Sequence, residues 1–115
     1  MKANQPKRKH NNALDNDADH HLYEFFDKQE NETFKYGISS DPIGPDGLSR
    51  RIRRQLDIFN LAAGWLRYLA RILVTGISGR KAAEELEDQY LDEFEKKHGK
   101  LPRGNKEKNR KNKTS

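Results

Sequence analysis

HLYEFFDKQENETFKYGIS, residues 21–39, is the stretch on which the fold turns. Within it, LYEFFD (22–27) and TFKYGIS (33–39) are short runs rich in aromatic residues, and KQENE (28–32) is a polar connection of hairpin length. Together they predict a β-hairpin. Strand alternation in the second run puts Phe34, Tyr36 and Ile38 on one side and Lys35, Gly37 and Ser39 on the other, which makes Tyr36 a packing residue.

Downstream, DPIGPDG (41–47) holds two prolines and two glycines and reads as a loop. Leu48, Ile52, Leu56 and Phe59 then recur at helical intervals, with arginines on the opposite face, and predict an amphipathic helix over 48–60. Residues 61–76, LAAGWLRYLARILVTG, satisfy two periods at once. Leu66, Leu69 and Leu73 fit a helix, whereas Tyr68, Ala70, Ile72 and Val74 alternate as in a strand. A second helix follows, with Ser78 as its expected N-cap, an apolar face of Ala82, Ala83, Leu86, Tyr90, Leu91 and Phe94, and Gly99 and Pro102 as its stop. Upstream, residues 1–20 hold almost nothing to bury and read as a disordered leader. Residues 106–115 contain no apolar side chain and read as a basic disordered tail, which leaves 21–105 as the folded domain.

The chain has 115 residues, enough for one domain with one site. Only 32% of them are apolar and 36% are charged, so the core must lie in the segment between Leu22 and Leu101. No cysteine is present, which excludes disulfides, a thiol nucleophile and thiolate zinc sites. Any metal must bind through oxygen or imidazole. No run approaches the roughly 18 apolar residues of a membrane span, and no signal peptide is recognisable, so a soluble protein without a membrane partner is expected. The net charge of +5 is segregated: residues 1–12, 48–77 and 96–115 are basic, and 13–47 and 78–95 are acidic. Basic blocks of this kind suit a polyanionic partner, through counterion release from phosphates. His20 and His21 are adjacent on a strand and point to opposite faces, so they make no metal pair, and His10 and His98 have no partner at ligand spacing.

Read in order, the hairpin, glycine-bearing loop, arginine helix, further β segment, acidic helix and closing Pro-x-x-Asn resemble the GIY-YIG nuclease superfamily, over about three quarters of the chain. His21-Leu22-Tyr23 stands at the first motif, with Tyr23 as the matching tyrosine. Phe34-Lys35-Tyr36-Gly37-Ile38 stands at the second, aligned on Gly37 with Lys35 in place of the usual tyrosine. Leu48-Ser49-Arg50-Arg51-Ile52 matches the helix arginine at Arg51. Ala83 to Leu91 matches the glutamate helix at Glu87, and Leu101-Pro102-Arg103-Gly104-Asn105 matches the closing asparagine.

The resemblance implies an α/β fold, with a small mostly antiparallel three-stranded sheet flanked by helices and its third strand near Arg67 to Val74. It implies a metal-dependent endonuclease that hydrolyses phosphodiesters, DNA in preference to RNA. Glu87 would be the sole protein carboxylate on Mg²⁺ or Mn²⁺, since hard ions on substrate phosphate keep their waters. Tyr23 would activate water once positive charge, some of it from Lys35, lowers a phenol pKa of about 10. Arg51 would hold the scissile phosphate with Lys35 beside it, and Asn105 would orient the site. Arg50, Arg53 and Arg54 would grip nucleic acid. The setting could be DNA repair or recombination, restriction, mobile-element homing or, since the small domain follows a polar leader, the nuclease tip of a bacterial toxin, which would imply an immunity or antitoxin protein and delivery into a target cell, against a cytoplasmic site for a free-standing enzyme. Two rivals stand beside this reading: a non-catalytic nucleic-acid-binding protein on the same fold, and an all-helical interaction module in which 61–77 is another helix.

Overall fold

The computed structural model describes residues 16–112. Strands β1 (Asp19–Asp27) and β2 (Glu32–Ser39) form the expected hairpin. They are followed by helix α1 (Arg50–Ala63), strand β3 (Tyr68–Ser78), helix α2 (Arg80–His98) and a single helical turn, α3 (Asn109–Asn112). The sheet is antiparallel in the order β2-β1-β3, so the aromatic strand that begins the hairpin lies in the middle. A central strand is covered on both sides, which is why the apolar residues of β1 have no solvent face. Leu22 and Phe25 are fully buried and Tyr23 is 2% exposed.

Alternation along β1 splits the core in two. Leu22, Ile38 and Ala83 pack with Leu73, Val74, Leu86 and Tyr90 beneath α2. Tyr23, Phe25 and Ile52 pack with Phe34, Leu56, Phe59, Ala70 and Ile72 beneath α1. The helices therefore cover opposite faces of the sheet. Each fully buried aromatic or aliphatic side chain stabilises the fold by about 1.5–3 kcal/mol relative to exposure.

The 61–76 ambiguity resolves in physical terms. Gly64 adopts a left-handed φ of 81° and donates to the Asn60 and Leu61 carbonyls, which stops α1. The Asn60 side chain then takes the Tyr68 N–H (2.7 Å) and donates to the Tyr68 carbonyl (3.1 Å), so the end of α1 seats the first residue of β3. The all-helical rival is excluded.

Four local expectations are corrected. A β-bulge between Phe25 and Phe26 pairs Lys35 with Phe25 and Thr33 with Phe26, leaving Phe34 as the extra residue. Phe34 consequently turns away from Tyr36 and Ile38 and stacks edge-on with Phe59 of α1 (5.3 Å). Tyr36 packs against Tyr90 of α2 (5.5 Å), as a core residue should. Ser78 ends β3 rather than capping α2. The cap is Gly79, at φ 90°, and no side chain bonds there. The leader expected over 1–20 shortens, because Asp19 and His20 belong to β1 and Asn16 is buried, with its carbonyl accepting from Arg80 N–H. Residues 1–15 lie outside the described residues. Finally, within the tail expected to be disordered over 106–115, Lys108 to Arg110 are held on α2, and residues 113–115 lie outside the described residues. The missing apolar residues misled the reading, because the attraction is ionic. Lys108 reaches Asp92 and Glu95, and Arg110 reaches Asp88 and Asp92, all on one acidic stripe of α2.

The closing Pro-x-x-Asn turn is locked onto β2. Gly104 donates to the Phe34 carbonyl, and Asn105 exchanges two hydrogen bonds with the Tyr36 main chain (2.9 and 3.0 Å). Buried Asp27 fastens the same end of the molecule. Its carboxylate accepts from the Gln29 and Glu30 amides of the hairpin turn, bidentately from Arg67 at 2.8 Å, and from Arg103. Those donors hold the Asp27 carboxyl well below the usual carboxylate range. No helix among the described residues is long and apolar enough to cross a membrane.

Candidate active site

Tyr23 lies in the central strand on the α1 face, opposite Gly37 of β2. Its ring lies flat over that glycine. A Cβ built on Gly37 would stand 2.4 Å from the Tyr23 Cζ and 2.5 Å from its hydroxyl oxygen. The glycine of the second motif is there for space, since Gly37 is not one of the positive-φ glycines. Phe25 meets the same ring edge-on at 5.5 Å, and His21 is tilted against it at 6.1 Å.

Two helices bring polar side chains to this phenol, and the neighbouring strand brings Lys35 to the same two charges. From α1, the Arg51 guanidinium and the Gln55 side chain, one turn apart, face the Tyr23 hydroxyl. Glu87 of α2 is close enough to act on both Tyr23 and Lys35. Lys35 of β2 is held by the bulge beside it and by Gly104, where a Cβ would come within 2.8 Å of the Lys35 Cβ. The closing turn thus presses on the residue that bears the site lysine.

Glu87 is 7% exposed. Burial raises its pKa, while a 2.7 Å hydrogen bond from Asn109 Nδ2 to its Oε1 draws it down. Among the described residues no three His, Asp or Glu side chains gather as a metal cage. A single buried carboxylate with one oxygen already bonded does fit a hard divalent ion that keeps most of its waters and leans on substrate phosphate.

Residues 13–99 match the model of a family described as URI fold toxin 2. The chain belongs to that family. Comparison with curated proteins and with solved structures gives no match. The matched span begins just before β1 and ends with Gly99, at the close of α2, so it includes Tyr23, Lys35, Arg51 and Glu87 and stops short of Asn105 and Asn109.

The electrostatics of this URI-fold toxin domain correct one expectation. Burial raises the Tyr23 pKa above its ordinary value, with Arg51 and Gln55 opposing and Glu87 reinforcing the rise. Arginine proximity alone does not make this phenol a base. Lys35 is not among the groups that move Tyr23. Its own pKa is lowered by burial and by Arg51, against Glu87.

Around the cluster, Arg50, Arg51, Arg54, Gln55 and Asp41 line a cleft of about 340 Å³. Arg53, also named from sequence as a nucleic-acid contact, turns aside to Asp46 at 3.0 Å. A larger hollow of about 620 Å³ lies between the hairpin turn and the end of α2, lined by residues such as Asn31, Thr33, Tyr36 and His98. None of the four clustered residues lines it, so size does not mark the site. Asn105 is set one residue along from Lys35 and spends its amide on the Tyr36 main chain rather than on the cluster.

Three polar residues around the cluster were missed by sequence reading. Gln55 was within reach of it, as the residue one turn after Arg51 on the same helix face. Its Oε1 is buried without a hydrogen-bond partner, as is Nε2 of His21. Asn109 carried no signal, sitting in a lysine-rich run that looks uniform. His21 stands where the first motif has glycine. Burial lowers its pKa, with Asp41 opposing and His20 adding to the fall.

Proposed function

We propose that this URI-fold toxin domain is a metal-dependent endonuclease of the GIY-YIG type, which cuts phosphodiester bonds in nucleic acid, DNA in preference to RNA. The observation that carries the reading is the gathering of Tyr23, Lys35, Arg51 and Glu87, from four separate elements, around one buried phenol beside an arginine-lined cleft. A packing tyrosine does not need an arginine, a lysine and a buried glutamate around it.

In this reading Arg51 takes two phosphate oxygens at the mouth of the cleft, a bidentate task that a planar guanidinium performs and a lysine does not. Lys35 adds a point charge where negative charge develops. Glu87 would hold Mg²⁺ or Mn²⁺, with its Oε1 already bonded by Asn109. When bound, such an ion supplies positive charge beside the scissile phosphate. Burial works against ionisation of Tyr23, so it would take a proton from the attacking water only as a phenolate, after added positive charge outweighs burial and its own proton has passed to solvent. Asn105 acts at one remove, through the Tyr36 main chain. As a toxin, the domain would act inside a target cell, and the producing cell would need an immunity protein that covers the cleft.

The raised Tyr23 pKa favours one rival, a nucleic-acid-binding domain that grips phosphates through Arg50, Arg51 and Arg54 without cutting. Incubation of the purified chain with supercoiled plasmid and with RNA in Mg²⁺ separates the two. Nicking by the wild type that Glu87→Gln and Arg51→Ala lack supports the nuclease. Retention of nucleic acid without nicking establishes the rival, and equal nicking by wild type and Glu87→Gln refutes the site.

A further inference from the structure

Asn109 lies beyond the family match and beyond the closing Pro-x-x-Asn, yet it has the densest hydrogen bonding around Glu87. Its main-chain N–H donates to Asp88 Oδ1 at 2.7 Å. Its side-chain amide donates to Glu87 Oε1 at 2.7 Å, to Asp88 Oδ1 at 3.1 Å and to the Glu84 carbonyl at 3.2 Å. An NH₂ group only donates, so it restrains Glu87 Oε1 and leaves the other carboxylate oxygen for a ligand. The residues on either side pin the segment: Lys108 Nζ sits 2.7 Å from Asp92 Oδ1, and Arg110 Nη2 sits 2.8 Å from the same oxygen. The Arg110 N–H adds a bond to Asp88 Oδ2 at 3.0 Å.

We infer that residues 106–112 form a strap that completes the active site, with Asn109 as the positioning residue that holds the Glu87 carboxylate in place. The inference rests on the nuclease reading for its catalytic meaning. A carboxylate that binds a metal with one oxygen needs its other oxygen restrained, and partners of this kind typically contribute 10- to 100-fold to metal affinity or rate. The basic tail thereby has a task other than gripping nucleic acid: Lys108 and Arg110 are spent on α2. Their attachment is ionic and at the surface, so the strap loosens as salt rises.

The full chain with Asn109→Leu, which keeps the bulk and removes the donor, tests this. Plasmid nicking in Mg²⁺ is expected to fall about 10- to 100-fold, and Mn²⁺ affinity, read by water-proton relaxation, to fall by a similar factor. The urea midpoint shows whether the variant is folded. Asp92→Asn with Glu95→Gln leaves Asn109 and Glu87 intact and removes most of the ionic pins, so its nicking should lie below the wild type's at low salt and decline less steeply as salt rises. Wild-type nicking and Mn²⁺ binding by folded Asn109→Leu overturns the inference. So does faster nicking, which would make the strap a cover rather than a support. A wild-type chain that nicks nothing defeats the nuclease reading instead. The strap is then judged by the Glu87 carboxyl carbon in NMR at fixed pH, and an unchanged signal in Asn109→Leu overturns it.

Discussion

Replacing Gly37 by alanine adds a single methyl group in a strand whose backbone accepts any residue, and it should disable the site. The added Cβ would stand 2.4 Å from Tyr23 Cζ, about 1 Å short of ordinary van der Waals contact. The ring cannot yield cheaply, because Tyr23 is 2% exposed and is flanked by Phe25 and His21 on its own strand. Overpacking of this kind costs about 1–3 kcal/mol of stability. A displacement of about 1 Å at a reacting group costs on the order of 100-fold in rate. Plasmid nicking in Mg²⁺, run beside urea denaturation, should therefore show a folded protein with a midpoint modestly lowered and nicking reduced about 100-fold. The loss acts through the phenol, so Gly37→Ala added to Tyr23→Phe should cost almost no further activity. Wild-type nicking by Gly37→Ala, or a full second loss on the Tyr23→Phe background, refutes the reasoning.

Asp27→Asn should lower stability by about 2–4 kcal/mol in urea denaturation, near the low end for a broken buried pair because Arg67 and Arg103 keep some solvent contact. The Asp27 pKa is depressed on folding, so its contribution is present above the unfolded value of about 3.9 and is lost as pH falls below it. Acid titration of stability should accordingly be flatter in Asp27→Asn than in the wild type, and parallel curves would count against the ion pairs. Arg50→Ala with Arg54→Ala should weaken nucleic-acid binding and lower the slope of log affinity against log salt by about 2, whereas Arg53→Ala, already paired with Asp46, should change it less. Ser49→Ala removes the Oγ that accepts the Ile52 N–H at 3.3 Å and should cost about 1 kcal/mol of stability without changing the nicking rate per folded molecule.

The hairpin and both main helices were legible because each carries one unambiguous period. β3, expected near Arg67 to Val74, was legible only through the family resemblance, since Leu66 to Leu73 satisfies strand and helix spacing together. What decides it is a contact that spacing cannot announce, the Asn60 side chain clasping Tyr68 eight residues on. The bulge at Phe34 was equally silent: one unpaired residue reverses a face, and no residue type there demands it. For the candidate site, motif order singled out Tyr23, Lys35, Arg51 and Glu87, and the fold sets Arg51 and Glu87 within electrostatic reach of both Tyr23 and Lys35. Motif order could not weigh burial against charge at Tyr23, because that balance depends on how closely Phe25, Gly37 and α1 enclose the ring. Nor could it find Asn109, whose partner on α2 is 22 residues away.

Asn105 and Asn60 do more than terminate a turn and a helix. β2 and β3 are the outer strands of the sheet, and each has a side-chain amide plugged into its outward-facing main chain, at Tyr36 and at Tyr68. With Gly104 also bonded to the Phe34 carbonyl, β2 is sealed against an incoming extended chain on both sides of Lys35. A neutralising protein cannot lengthen the sheet there without first pulling out Asn105. On the proposed reading, a protein that covers the cleft would meet it with side chains, and acidic ones match Arg50, Arg51 and Arg54.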